Sequence, residues 1–258
     1  WNYYLMTQDK DWLTQKGYPV LQKIAEFWTS RASRNEDGSY SIKYVIGADE
    51  YAEGVDDNAY TNAAAKKALE YAVNAAVIVG KTAPKIWKDI SDHLEISKMS
   101  NGVTQEYKGY KGEMIKQADV NLLAYPLGII TDANQIKKDL EYYTSKIDKD
   151  HGPAMTFSAF SVQYARLGNA EKAYAMFKKA YQPNERPPFR VLAETPSSSN
   201  PYFMTGAGGI LQALINGFGG LDITEKGIFQ YKTALPKHWR KLTIKGVGPE
   251  RKDFTVSQ

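Results

Sequence analysis

TFSAFSVQYARLG at 156–168 and NAEKAYAMFKKAYQ at 169–182 are the two adjacent runs that most restrict how this chain can fold. The first is amphipathic at helical spacing and is stopped by Gly168. The second opens on Asn169 as a helix N-cap, with Glu171 in the first turn, where an acid faces the positive end of the helix dipole. Two helices joined by so tight a turn must lie antiparallel. A body of helical hairpins is therefore expected.

Other segments extend that pattern. From Asp11 to about Arg31, Leu13, Val20, Leu21, Ile24, Ala25 and Trp28 recur at helical spacing, and RNEDGSYSIKYVIG follows as a polar connection with a turn at Asp37-Gly38. A long helix is predicted from about Asn58 to Val79, ending at a glycine suited to a C-cap. Shorter helices are expected over 83–94, 119–127 and 133–147, and an apolar one over 203–218. After FGG at 218–220 the texture changes to short alternating runs, notably Lys241–Lys245 and Phe254–Val256, which read as a small all-β appendage. No close repeat of fixed period is present.

Composition removes several function classes. A length of 258 residues allows one large domain or two modest ones. The formal charge of +4 comes from interleaved lysines and acids, and the densest basic stretch, PKHWRKLTIK at 236–245, alternates with apolar residues. That pattern is a solvated strand face, so nucleic acid is not an expected partner. No apolar run approaches the roughly 18–20 residues that span a bilayer, so neither is a membrane. Without cysteine the chain has no disulfides or thiolate chemistry. The absence of an initiator Met before Trp1 suggests a mature or cleaved piece of something longer. Eighteen tyrosines suit the flat faces of sugars, although tyrosines at helix interfaces give the same count.

The segment ADEYAEGVDDNAYTN at 48–62 concentrates five carboxylates: Asp49, Glu50, Glu53, Asp56 and Asp57. It lacks the alternating oxygen-ligand pattern of a calcium loop. Asp56, Asp57 and Asn58 directly precede the long helix and are expected to satisfy its free N–H groups. Asp49 and Glu50 lie too early for capping. His151 has no partner at metal-ligand spacing and reads as a loop residue.

With these residues in view, VIGADEYAEGVDDNAYTN resembles the acid-loop motif of glycoside hydrolase family 65, usually GPDEY followed by an asparagine-rich segment and YTN or FTN. Three further segments agree in order. KQADV at 116–120 is similar to the family's Lys-Gln sugar-binding motif, GPAMTFS at 152–158 to the GPAMTWS segment of its hydrolase branch, and TGAGGILQALINGFGGLDI at 205–223 to the helix closing its catalytic barrel. The resemblance covers essentially the whole chain. It implies an all-α body at 1–218 forming the later half of an (α/α)6 barrel, then the start of a C-terminal β domain at 219–258. Half a toroid leaves helix faces uncovered, so an N-terminal part of the same protein is an expected partner. A homo-oligomer stays open.

The resemblance also implies roles. Glu50 matches the general acid of the family, with Glu53 the local competitor and the reading that neither is catalytic alongside. An acid protonated near neutral pH needs desolvation or negative neighbours, which Asp49, and Glu53 if it faces inward, would supply. Glu194, in PPFRVLAETPSSSNPYFMTGAGG, stands where hydrolases of the family place their general base; a salt bridge to Arg190 is the bland alternative. Ser197, Ser198 and Ser199 with the glycine-rich helix start keep open a phosphate site, hence a phosphorylase releasing β-glucose 1-phosphate. An ordinary polar loop is the competing reading. Asp49, Tyr51, Lys116 and Gln117 are candidate substrate contacts. The implied reaction is inverting hydrolysis of an α-glucosyl disaccharide, with no cofactor and no metal. A non-catalytic sugar-binding helical protein is the rival from another class.

Overall fold

Capping chemistry sets the helix ends in the computed structural model of the chain, which describes residues 1–200 and 202–258. The chain forms two units, Trp1–Glu113 and Met114–Gln258.

The first unit begins with α1 (Asn2–Thr7) and α2 (Lys10–Trp12), followed by a π-helical stretch at Leu13–Gly17 that runs directly into α3 (Tyr18–Arg31). The helix expected from Asp11 to Arg31 is thus present but carries a π insertion. Pro19 explains it: a proline inside a helix has no N–H for the carbonyl one turn back, and widening that turn relieves the mismatch. Gly17 occupies the bulge because a Cβ there would come within 2.7 Å of the Trp12 ring. The predicted polar connection proves to be a hairpin, β1 (Ala32–Arg34) with β2 (Tyr40–Ile42), turning at Gly38 with φ of 86°.

Next comes α4 (Ala59–Ile78). Asn58 caps it, its side chain accepting the Thr61 N–H at 2.8 Å. At the other end Gly80 takes φ of 75° and the Lys81 N–H donates to the Ala76 carbonyl at 2.8 Å, the six-to-one bond of a Schellman ending. Only Asn58 caps; the acids before it do other work. Asp57 accepts from the Ile42 N–H and the Ser41 hydroxyl, and Asp56 accepts from the Tyr44 N–H, so both tie the β2 strand and its exit to the start of α4. With α5 (Lys85–His93), the unit closes over Leu13, Leu21, Ile42, Leu69, Trp87 and Ile90.

In the second unit, the helix expected over 119–127 is reduced to a 3-10 turn at Val120–Leu123. Pro126 is the reason, since the residue before a proline avoids helical backbone. α6 (Ala133–Thr144) is capped by Asp132. The antiparallel pair is present as α7 (Ala154–Arg166) and α8 (Ala170–Lys179), and Gly168 at φ 76° closes α7 while Asn169 caps α8 through the Lys172 N–H. A short hairpin of β3 (Glu185–Arg186) and β4 (Val191–Leu192) precedes α9 (Met204–Gln212), which ends in a second π stretch, Ala213–Phe218. Two antiparallel hairpins follow: β5 (Leu221–Thr224) with β6 (Gly227–Gln230), and β7 (Lys241–Val247) with β8 (Lys252–Ser257). An aromatic cluster of Phe177, Phe218 and Trp239, with centroids 4.9–6.0 Å apart, packs α8 and the end of the π stretch against the segment before β7.

Candidate active site

In the first unit the acid loop is closed by an isolated antiparallel bridge. Val45 and Val55 exchange N–H···O bonds of 2.9 and 3.0 Å, so residues 46–54 leave and return at one point. Asp49 turns inward, 2% exposed; its carboxylate accepts the Tyr51 N–H at 3.4 Å and its carbonyl accepts the Ala52 N–H at 3.2 Å. That local turn pushes the next two residues out, and Glu50 and Tyr51 are exposed at the loop's tip. Glu53 is exposed as well, so it does not face inward beside Glu50.

A carboxylate that the sequence reading missed lies nearby. Glu106 is completely buried, and its carbonyl accepts the Ala59 N–H at 2.7 Å and the Asn58 amide at 3.3 Å, which fixes it at the start of α4. Burial pushes the Tyr107 phenol up, and Glu113, Glu106 and Asp49 add to it through their negative charge. Asp49 and Glu106 therefore share one acidic neighbourhood. Nothing in the Gln-Glu-Tyr string around Glu106 announces this.

In the second unit three distant segments meet. The Ile115 N–H donates to the Lys146 carbonyl at 3.0 Å and the Asp148 N–H to the Ile115 carbonyl at 2.8 Å, which fixes the backbone leading into Lys116. The Ala118 N–H donates to the Thr156 hydroxyl on α7 at 3.1 Å, and the Ala154 N–H, at the first residue of α7, donates to the Glu194 carbonyl at 3.0 Å. Gly152 is needed where the chain enters α7: a Cβ there would sit 2.5 Å from the Asp148 carbonyl oxygen. The result is a Lys116 ammonium 3.7 Å from the Glu194 carboxylate, with side chains 18% and 34% exposed. Gln117 is buried beside them in sequence, and Asp119 is fully buried.

The bland reading of Glu194 is corrected in one respect: its cation is Lys116, not Arg190. The serine triplet is a built turn. Arg186 donates to the carbonyls of Thr195, Pro196 and Ser198, and the Ser198 N–H donates to the Thr195 hydroxyl at 3.1 Å. His151 is a loop residue, its N–H and ring both bonded to Asp148. Among the described residues no group of three or more His, Cys, Asp or Glu side chains is arranged to hold a metal ion. No helix is long and apolar enough to cross a membrane among those residues.

Comparison with known proteins agrees with this arrangement of motifs. Residues 1–113 match the model of the glycosyl hydrolase family 65 central catalytic domain. Over 99% of its length the chain is 56% identical to a kojibiose hydrolase of Mucilaginibacter mallensis, and over 100% it is 55% identical to one of Flavobacterium johnsoniae. It is 38% identical over 98% to a protein-glucosylgalactosylhydroxylysine glucosidase of Dictyostelium discoideum. The chain spans 38% of the length of each of the two bacterial relatives and 36% of the third. A solved structure described as a kojibiose phosphorylase from the human microbiome shares the fold across 100% of the chain, with TM-score 0.77 at 20% identity, the chain covering 43% of that structure. Residues 1–113 thus match the central catalytic domain of glycosyl hydrolase family 65, and the whole chain is more than half identical to the two bacterial kojibiose hydrolases.

Proposed function

We propose that this chain is the later part of an inverting α-glucosidase that hydrolyses glucosyl disaccharides of the kojibiose kind. Residues 1–218 would supply later helices of an (α/α)6 barrel and 219–258 the start of a C-terminal β domain, with an N-terminal part of the same protein completing the toroid. In this reading Glu50 is the general acid and Glu194 the general base. Inversion needs two carboxyl groups on opposite faces of the sugar, roughly 6.5–9.5 Å apart, with a water between base and anomeric carbon. Water activated by Glu194 attacks that carbon as Glu50 protonates the leaving oxygen, which yields β-glucose. Asp49 shapes the turn that presents Glu50, Tyr51 offers a ring to the sugar, and Lys116 and Gln117 offer donors to its hydroxyls.

The observation that carries the reading is the Lys116–Glu194 pair at 3.7 Å. The ammonium fixes the position of the carboxylate while about a third of the Glu194 side chain stays open to solvent, where an attacking water must stand. Support for the substrate class comes from the names of the two bacterial relatives. The test uses the full-length protein. Glu50→Gln and Glu194→Gln are each expected to lower turnover of kojibiose by at least about 10²-fold, the low end of what general acid–base catalysis contributes. Near-unchanged hydrolysis in either variant removes that residue from its role. NMR of the first product must show β-glucose; β-glucose 1-phosphate formed only with added phosphate would replace hydrolysis by phosphorolysis.

A further inference from the structure

We propose that the second unit carries another ligand site, at the C-terminal end of α7, for one neutral polyol of monosaccharide size. A cavity of about 260 Å³ opens there between the turn at Tyr125, the α6 residue Ile136, the α7 residues Gln163 and Arg166, and Asp222 and Tyr231 beyond them. The Glu194 carbonyl meets α7 at Ala154, its first residue. Gln163 and Arg166 lie nine and twelve residues further on, about 14–18 Å along the helix at roughly 1.5 Å per residue. The cavity is therefore separate from the Lys116–Glu194 pair.

Its electrostatics exclude an ionic ligand. Arg166 is paired with Asp222 at 3.0 Å, donates to the Asn216 and Leu221 carbonyls, and stacks its guanidinium over the rings of Tyr125 and Tyr231 at 4.9 and 4.4 Å. Asp222 also accepts the Ile223 N–H at 2.9 Å. Each charge is used by the other, so the lining is neutral in sum.

Among the polar groups left over are a buried acceptor and a buried donor. Gln163 is 3% exposed and spends its amide N–H on the Asn121 and Ala159 carbonyls, which leaves its carbonyl oxygen buried with no partner among the described residues. Native interiors rarely leave such an acceptor unmatched. Tyr125 is 6% exposed, and burial raises its phenol far above the usual range, so its hydroxyl stays a donor. No protein hydrogen bond to that hydroxyl is present among the described residues. A donor and an acceptor at the edge of a small, partly aromatic space match a hydroxylated ring. The volume is below the roughly 300–1,000 Å³ of drug-sized sites, which favours one ring over two.

The inference stands apart from the proposed hydrolysis. It is tested by calorimetric titration of the full-length protein with D-glucose, with glucose 6-phosphate as the charged comparison. Gln163→Met removes the acceptor at near-constant volume, and Ala133→Trp closes the mouth from an exposed position on α6. A glucose-binding event weakened at least tenfold by both substitutions, and weaker for glucose 6-phosphate, is the expected result. If Gln163→Met fails to fold, Ala133→Trp alone decides. No glucose binding, binding indifferent to the substitutions, or tighter binding of the phosphorylated sugar overturns the proposal.

Discussion

Lys116 holds its ammonium 3.7 Å from the Glu194 carboxylate, the pair on which the proposed hydrolysis rests. Replacing it by Met removes the partner 3.7 Å from Glu194 while keeping most of the stem. A partly exposed ion pair of this kind contributes up to about 1 kcal/mol, so under the proposed hydrolysis kcat/KM for kojibiose is expected to fall about fivefold in the full-length protein. Lys116→Arg, which retains the charge, should recover part of the loss; a Met variant within twofold of the parent would mean the pair is merely superficial. At this scale motifs name candidate residues and leave their orientation open. The Lys-Gln, Asp-Glu-Tyr and Glu194 positions all follow from motifs, yet the inward Asp49 and outward Glu50 follow from one tight turn, which no motif describes. Asp56 and Asp57 looked like caps because acids before a helix usually are. They serve β2 and its exit instead, since those backbone N–H groups lie within reach and Asn58 already satisfies the helix. Glu106 was not legible at all, because burial by distant residues leaves no local pattern.

At the scale of elements, α9 explains its own glycines. A glycine-rich helix start can hold an anion, but here the glycines let α9 lie close against α7: a Cβ on Gly209 would come 2.8 Å from the Ser158 hydroxyl and 2.9 Å from the Ser158 Cβ. A Cβ on neighbouring Gly208 would meet nothing within 4 Å. The two positions should therefore respond to alanine with opposite signs. Alanine gains up to about 1 kcal/mol over glycine in a helix, and Gly208→Ala is expected to keep that gain. Gly209→Ala must push two backbone-anchored helices apart, an overpacking cost of about 1–3 kcal/mol that outweighs the same gain. Denaturant midpoints of the two variants of residues 1–258, where Gly208 is exposed, check this, and equal shifts would mean that α7 and α9 approach less closely. The antiparallel α7–α8 pair, the stop at Gly168 and the Asn169 cap were readable, because these signals act within a few residues. The two π stretches were not, since a single inserted residue leaves the 3.6-residue periodicity nearly intact. The abbreviated turn at Val120–Leu123 should have been readable from Pro126.

For the molecule as a whole, the apolar faces that remain in water set the behaviour. On α3, Val20, Ile24 and Phe27 recur at positions i, i+4 and i+7 and are 59%, 38% and 54% exposed. On α9 and its π extension, Met204, Leu211 and Ile215 form a second exposed apolar row. Isolated exposed apolar residues are ordinary, but rows along helices are surfaces made to be covered. The chain spans only 38% of its two bacterial relatives, so in a full-length protein most of the polypeptide is available to cover them. Residues 1–258 produced alone are expected to self-associate and to bind a hydrophobic dye strongly, and the full-length protein to do neither. At about 25 cal/mol per Å² of apolar surface, covering even 200 Å² on these rows is worth roughly 5 kcal/mol, comparable with the whole stability of a small domain. Sedimentation measures the outcome directly. A species of 28.9 kDa that melts cooperatively and leaves the dye dark would mean that the rows tolerate water and need no further polypeptide to cover them.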